Sequence, residues 1–233
     1  MVYAIIMAGG MGTRMGAAVP KQFLMLEGKP VLAHTIDRFI RSSETDEIVV
    51  MCPESEDAAA RKLIAERFPN ETRIHLVHGG ASRGETLLLG IDFIKKNFAV
   101  DADTIILTHD GVRPIVSQRI IHDNIVCAAK YGACNTAVAV TDTLTVSRSG
   151  EFAEETPDRS IYYRCQTPQS FTLGCFEKAI EGRSRKELAG MTDACSIFTR
   201  AGLRVKLVEG DEHNIKITKP GDIETAGLFI RSE

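Results

Sequence analysis

The residues best suited to chemistry open the chain, where Ala8–Lys21 reads AGGMGTRMGAAVPK directly after the apolar run VYAIIM. Glycine tolerates positive φ and brings backbone N–H groups close to anionic oxygens. Ala8, Gly9, Gly10 and Gly12, with Arg14 and Lys21 adding charge, therefore predict a phosphate cradle after a buried strand. Two familiar alternatives fail on spacing. A G-x-G-x-x-G run from Gly10 needs glycine where Met15 stands, and the G-K-[ST] of a P-loop is absent. A glycine-rich turn that happens to carry surface bases is the blander reading.

A second group follows the apolar run Thr104–Thr108, as His109-Asp110-Gly111-Val112-Arg113-Pro114. Ligands of open α/β sheets bind at the carboxyl ends of strands, which places Asp110 beside the first loop. Mg²⁺ favours one or two carboxylates together with phosphate oxygens, so Asp110 is the candidate metal ligand. The alternatives for it are a helix cap or an ion pair with Arg113. His109 reads as a packed, hydrogen-bonded histidine and not a catalytic one. The run His78–Thr86, HGGASRGET, supplies glycines and hydroxyls that could accept a flat base, or is simply a strand-to-helix turn. Further on, Arg159, Thr167 in QTPQSF, Thr192-Asp193 and Asn214-Ile215-Lys216 are polar groups punctuating apolar sequence. Lys216 is a second phosphate-handling lysine or an exposed strand lysine; an unpaired ammonium there would be costly if buried.

These residues need elements to hold them. Short β-rich runs at Val2–Met7, Glu47–Cys52, Arg73–Val77, Thr104–Thr108 and Asn135–Val140 alternate with helical stretches at Pro30–Ser42, Asp57–Phe68, Arg83–Asn97 and Gln118–Tyr131. That alternation predicts a doubly wound α/β core with a mostly parallel sheet. After Val140 the pattern changes. Thr141–Ser147 and Ile161–Cys165 read as strands around the turn-rich SRSGEFAEETPDRS, a protruding β-arm with too little core of its own, which implies a dimer. Helices at Leu173–Glu181 and Thr192–Ala201, a strand at Arg204–Val208 and a last helix from about Pro220 complete one compact domain over residues 1–233.

Composition removes several classes. A net charge of −3 gives no basic field for nucleic acid. The apolar start is too short to span a bilayer and lacks a basic leader, so neither membrane nor export is expected. Six scattered cysteines without C-x-x-C, and six histidines without zinc spacing, point to reduced core thiols of a cytoplasmic protein.

Taken together, AGGMGTRMG, PKQF, GGASR, HDGVRP, Asp142-Thr143, QTPQSF, Thr192-Asp193 and NIKIT resemble, in order and nearly end to end, the cytidylyltransferase family that contains methylerythritol-phosphate and ribitol-5-phosphate cytidylyltransferases. The resemblance implies a Rossmann-like fold and transfer of CMP from CTP to a polyol phosphate, with Mg²⁺ and a homodimer. It implies that Ala8, Gly9, Gly10, Gly12, Arg14 and Lys21 meet the CTP phosphates. Gly80, Arg83 and Thr86 would meet the cytidine end, with Mg²⁺ on Asp110. Arg113, Thr143, Arg159, Thr167 and Thr192 would surround the polyol phosphate, Arg159 across the dimer, and Lys216 would join Arg14 and Lys21 at the reacting phosphorus. HDGVRP, TDAC and GGASRGET resemble the ribitol branch more than the methylerythritol branch, and His213 stands where the latter often has Asp. A sugar-1-phosphate nucleotidyltransferase using UTP or GTP, and a non-catalytic nucleotide-binding module, are the rival classes.

Overall fold

The computed structural model of the chain describes residues 1–10, 19–191 and 193–232, and Gly12, Arg14 and Thr192 lie outside them. Strand β1 (Val2–Met7) sits near the middle of the sheet, and Tyr3–Met7 are buried because both of its faces are covered. Tyr3, Ile5 and Met7 face one core and Ala4 and Ile6 the other, as the twofold period of a strand requires.

Crossover helices build the two cores. A small hairpin of β2 (Met25–Leu26) and β3 (Lys29–Pro30) leads into α1 (Val31–Ile40), β4 (Glu47–Cys52), α2 (Asp57–Arg67) and β5 (Ile74–His78). Then α3 (Arg83–Asn97) carries the chain back across β1 to β6 (Ile105–Asp110), which is followed by α4 (Gln118–Tyr131) and β7 (Ala133–Ala139). Leu32, Ile36 and Phe39 of α1 and Ile120, Ile121 and Ile125 of α4 fill one face, while Leu87, Leu88, Ile91 and Ile94 of α3 fill the other. Each fully buried Ile, Leu or Phe contributes about 1.5–3 kcal/mol relative to exposure. Helix α4 ends at Gly132, whose φ of 82° is one that a side chain would strain.

The remaining elements are β8 (Tyr163–Thr172), α5 (Leu173–Ile180), α6 (Arg185–Ala189), α7 (Cys195–Arg200), β9 (Lys206–Glu209) and α8 (Gly221–Arg231). Among the described residues the main sheet has the order β5-β4-β1-β6-β8-β7-β9. Only β8 runs against the rest, pairing antiparallel with β6 and β7. The expected doubly wound, mostly parallel sheet is present, with the five strands read from the sequence in place.

Two elements go beyond the sequence reading, and one expectation needs correction. QTPQSF, read from the sequence only as polar groups in an apolar stretch, forms the buried centre of β8, and its polar side chains find partners there. Gln169 Nε2 donates to Asn135 Oδ1 (3.1 Å), Ser170 Oγ to Asn124 Oδ1 (3.0 Å) and Gln166 Nε2 to the Asp211 carbonyl (2.7 Å). Of the two expected arm strands, Thr141–Ser147 is absent and Ile161–Cys165 is present only as Tyr163–Cys165, the start of β8 paired with β7. Residues 141–162 are mostly exposed and hold one bridge, Val146–Glu155, because no neighbouring strand completes a ladder. Finally, α6 is a short helix that the sequence pattern did not reveal; its Ser184–Glu187 capping box marks its start.

Candidate active site

Parallel pairing levels the strand ends. Met7 lies opposite Met51 and Asp110, and Cys52 opposite His78. Four carboxyl ends therefore open into one cavity, where the connections diverge to either side of β1. Ala8, Gly9, Gly10, Lys21, Gly80, Arg83, Thr86, Asp110 and Lys216 all line it, together with Gln22, Pro53, Ser82 and Val112.

The first loop is held from behind. Ala8 N–H donates to the Met51 carbonyl (2.8 Å), and the buried Gln22 donates its amide to the Ala8 carbonyl (2.8 Å) and to Glu56. Burial pushes the Glu56 carboxyl up, against the lowering effect of that hydrogen bond. Lys21 crosses Gly10 and donates to the Ile217 carbonyl at 3.3 Å. A Cβ on Gly10 would lie 3.0 Å from Lys21 Cε. Neither Gly9 nor Gly10 has positive φ, contrary to the expectation from their type; at Gly10 the requirement is room for the lysine.

On the opposite wall, Ser82 caps α3 by accepting the Glu85 N–H, and Thr86 Oγ1 donates to the Ser82 carbonyl (2.8 Å) while accepting the Gly80 N–H (3.1 Å). Glu85 accepts the Ala81 N–H at 2.8 Å. A Cβ on Gly80 would overlap Glu85 Cγ at 2.3 Å, so glycine is needed for this folded-back loop.

Asp110 lies at the centre. Its Oδ1 is 2.5 Å from Arg83 Nη1, and its Oδ2 is 3.1 Å from both Arg113 Nε and Lys216 Nζ. Burial opposes ionisation of this carboxyl, but Arg83, Lys216 and Arg113 outweigh it and hold the group well below the usual carboxylate range. Three cations facing one carboxylate leave an excess of positive charge in a largely buried setting, which favours a polyanion. Behind Asp110, His109 is fully buried and packs on Phe39. Burial lowers its pKa to about 4, so the ring is neutral near pH 7.

The other residues singled out in the sequence fall elsewhere. Arg113 is buried beneath Asp110, where its Nη1 donates to the Asn214 carbonyl (2.7 Å), so the alternative of an Asp110–Arg113 ion pair is realised as well. Thr167, on β8, is also buried behind Asp110. Thr143 and Arg159 are on the exposed arm, and Arg159 Nη1 donates to the Thr141 carbonyl (2.6 Å); neither lines the cavity. His213 stacks on Phe229 at 4.1 Å and does not line the cavity. Ser82 and Asn214 lie in runs singled out from the sequence but had no role of their own there, and Gln22 had none either, although a polar residue between Lys21 and Phe23 is a visible signal.

Comparison with known proteins accords with this geometry. Residues 2–232 match the family model described as 2-C-methyl-D-erythritol 4-phosphate cytidylyltransferase. A ribitol-5-phosphate cytidylyltransferase from Lactiplantibacillus plantarum is 41% identical over 231 residues, 99% of this chain and 98% of the relative. Among solved structures, a 4-diphosphocytidyl-2C-methyl-D-erythritol synthase superposes with a TM-score of 0.81 at 30% identity, with 98% of each chain covered. The corresponding synthase from Anaerococcus prevotii gives 0.79 at 29% identity, covering 99% of this chain and 96% of its own. The chain therefore belongs to the 2-C-methyl-D-erythritol 4-phosphate cytidylyltransferase family and is a CTP-dependent nucleotidyltransferase.

Proposed function

We propose that this enzyme transfers CMP from CTP to ribitol 5-phosphate, giving CDP-ribitol and pyrophosphate. The arrangement that carries the reading is Asp110 paired with Arg83, Arg113 and Lys216 at the cavity where β1 and β6 end. The choice of acceptor is supported by the full-length likeness to a ribitol-5-phosphate cytidylyltransferase, at 41% identity against 29–30% for the two synthases. Methylerythritol 4-phosphate is the second reading, favoured by the matching family model.

Two polyanions must meet. A phosphate oxygen of the acceptor attacks the α-phosphorus of CTP in line, a new P–O bond forms, the bond to the β-phosphate bridge breaks, and pyrophosphate carries away the electron pair. A monoester phosphate, with its second pKa about 6, is already nucleophilic near neutrality. The protein's task is therefore charge compensation and alignment. Lys21, Lys216 and Arg14 are assigned to the charge that builds on the α-phosphoryl oxygens. Arg113 holds Asp110 and, with Thr143 and the partner copy's counterpart of Arg159, is assigned to the acceptor phosphate. The backbone of Ala8, Gly9, Gly10 and Gly12 is assigned to the triphosphate, Gly80, Arg83 and Thr86 to the cytidine, and Thr192 to the acceptor.

Asp110 suits Mg²⁺ as a single carboxylate among phosphate oxygens; the described residues contain no group of three acids, cysteines or histidines that would form a protein-only cage. Both of its oxygens meet cations, so holding a metal would require one of these pairings to give way. Held by Asp110 with the triphosphate, Mg²⁺ would supply charge neutralisation. The exposed arm, with Phe152 at 73% and Ile161 at 74% exposure, is assigned to a homodimer contact. Six free cysteines support a cytoplasmic setting. No helix among the described residues is long and apolar enough to cross a membrane.

Pyrophosphate release measured with ribitol 5-phosphate and each of CTP, UTP, GTP and ATP tests the nucleotide half. Turnover with CTP alone is expected, and a preference for UTP or GTP contradicts it.

A further inference from the structure

One buried ring and one hydroxyl pin both ends of the turn that carries Asp110 and Arg113. His109 Nε2 is 3.1 Å from the Arg113 carbonyl, and Nδ1 is 3.0 Å from Thr167 Oγ1. A carbonyl oxygen only accepts, so Nε2 carries the proton and Nδ1 presents a lone pair. The Thr167 hydroxyl therefore donates to Nδ1, and its oxygen accepts the Asp110 N–H at 3.0 Å. The Arg113 N–H closes the turn on the Asp110 carbonyl at 3.0 Å. Asn214 Nδ2 fixes the Thr167 carbonyl at 2.9 Å while the Asn214 carbonyl accepts from Arg113.

From this chain of donors and acceptors we infer that Thr167 and His109 are positioning residues for the Asp110–Arg113 turn, and that Thr167 is not a direct ligand of the acceptor phosphate. A phosphate dianion only accepts hydrogen bonds, so a hydroxyl that binds it must supply a proton. The one proton of Thr167 is committed to His109, and the residue is 3% exposed. Both residues act through the backbone at Asp110 and Arg113, and so on where the carboxylate and the guanidinium sit. The inference rests on the proposed function only in taking the phosphate acceptor to bind beside Arg113.

The test combines kinetics with a ring-nitrogen spectrum. Thr167→Val keeps the shape and removes the hydroxyl, whereas Thr167→Ser keeps the hydroxyl. For Thr167→Val, a fall in kcat of about 10²-fold with the acceptor KM within about threefold is expected, since small misplacements cost rate more than binding. Thr167→Ser should restore kcat to within about threefold. ¹⁵N spectra of the unsubstituted protein should show Nε2 of His109 protonated and Nδ1 unprotonated, with the Nδ1 resonance moving in Thr167→Val. A raised acceptor KM at unchanged kcat, or a proton on Nδ1, overturns the inference. The spectrum requires no acceptor, so failure here is distinct from failure of the functional reading, which would appear as no turnover of ribitol 5-phosphate by the unsubstituted enzyme.

Discussion

Lys216 Nζ lies 3.1 Å from Asp110 Oδ2, joining the NIKIT segment near the C-terminus to the end of β6. Lys21, which donates to the Ile217 carbonyl, approaches the same place from the first loop. Two lysines far apart in sequence thus converge on the Asp110 side of the cavity, where the proposed reaction would build charge on the α-phosphorus. Lys21→Ala and Lys216→Ala should each lower kcat by about 10²–10³-fold while weakening CTP binding far less, because the cations act mainly in the transition state. Steady-state kinetics beside CTP titration checks this, and unchanged kcat in both variants would count against the mechanism.

Asp110→Asn removes the one anion from among three cations. Breaking such a buried pairing should destabilise the fold by about 3–5 kcal/mol. Without metal, a triphosphate should then restore more stability to the variant than to the unsubstituted enzyme, as it would relieve mutual repulsion of Arg83, Arg113 and Lys216. Thermal melts in EDTA with and without CTP read this directly. A smaller Tm rise in the variant would show that Lys216, the cation of this group assigned to the triphosphate, does not meet it. In Mg²⁺, turnover should fall by at least about 10²-fold.

The arm offers a test that a monomeric enzyme cannot pass. Arg159 lies outside the cavity of its own chain, so the variants Arg159→Ala and Lys216→Ala should complement when mixed and allowed to exchange subunits. Random exchange places one intact site in each mixed dimer, which restores about a quarter of the normal activity. No recovery after demonstrated exchange would place Arg159 outside the partner's site.

Much of this was legible in the sequence, for identifiable reasons. The apolar runs of β1, β4 and β6 stand out because strands covered on both faces are apolar throughout, and α3 and α4 carry side-chain caps at Ser82 and Ser117. Strand β8 was obscured because its buried positions are Gln166, Thr167, Gln169 and Ser170, whose partners lie on distant segments that local pattern does not reveal. The meeting of Asp110 with the first loop followed from the strand-end rule, whereas the place of Lys216 beside them came from the family resemblance. The role of Gln22 behind Ala8 did not, because it depends on a side-chain contact across the loop.

Asp222 shows how the C-terminal helix supports the site. Its Oδ2 accepts from Thr218 N–H (2.8 Å), Thr218 Oγ1 (2.9 Å) and Lys219 N–H (2.9 Å), which anchors the stretch just after Lys216 to α8. Burial raises its carboxyl pKa, but these hydrogen bonds lower it further, so the net direction is down. A depressed folded pKa means that the stabilisation is present above the unfolded value and is lost as pH falls through the folded one. Asp222→Asn should cost about 1 kcal/mol at pH 7, since the charge that strengthens these hydrogen bonds and favours the start of α8 is lost. The gap from the unsubstituted protein should close below about pH 4 in denaturant titrations, and a gap independent of pH would contradict this.

The most direct test of the acceptor is competition. With limiting CTP, Mg²⁺ and equal concentrations of ribitol 5-phosphate and methylerythritol 4-phosphate, the ratio of the two cytidine-diphosphate products, read by mass spectrometry, is the ratio of kcat/KM. The account predicts CDP-ribitol in at least about tenfold excess. Predominance of the methylerythritol product would contradict it.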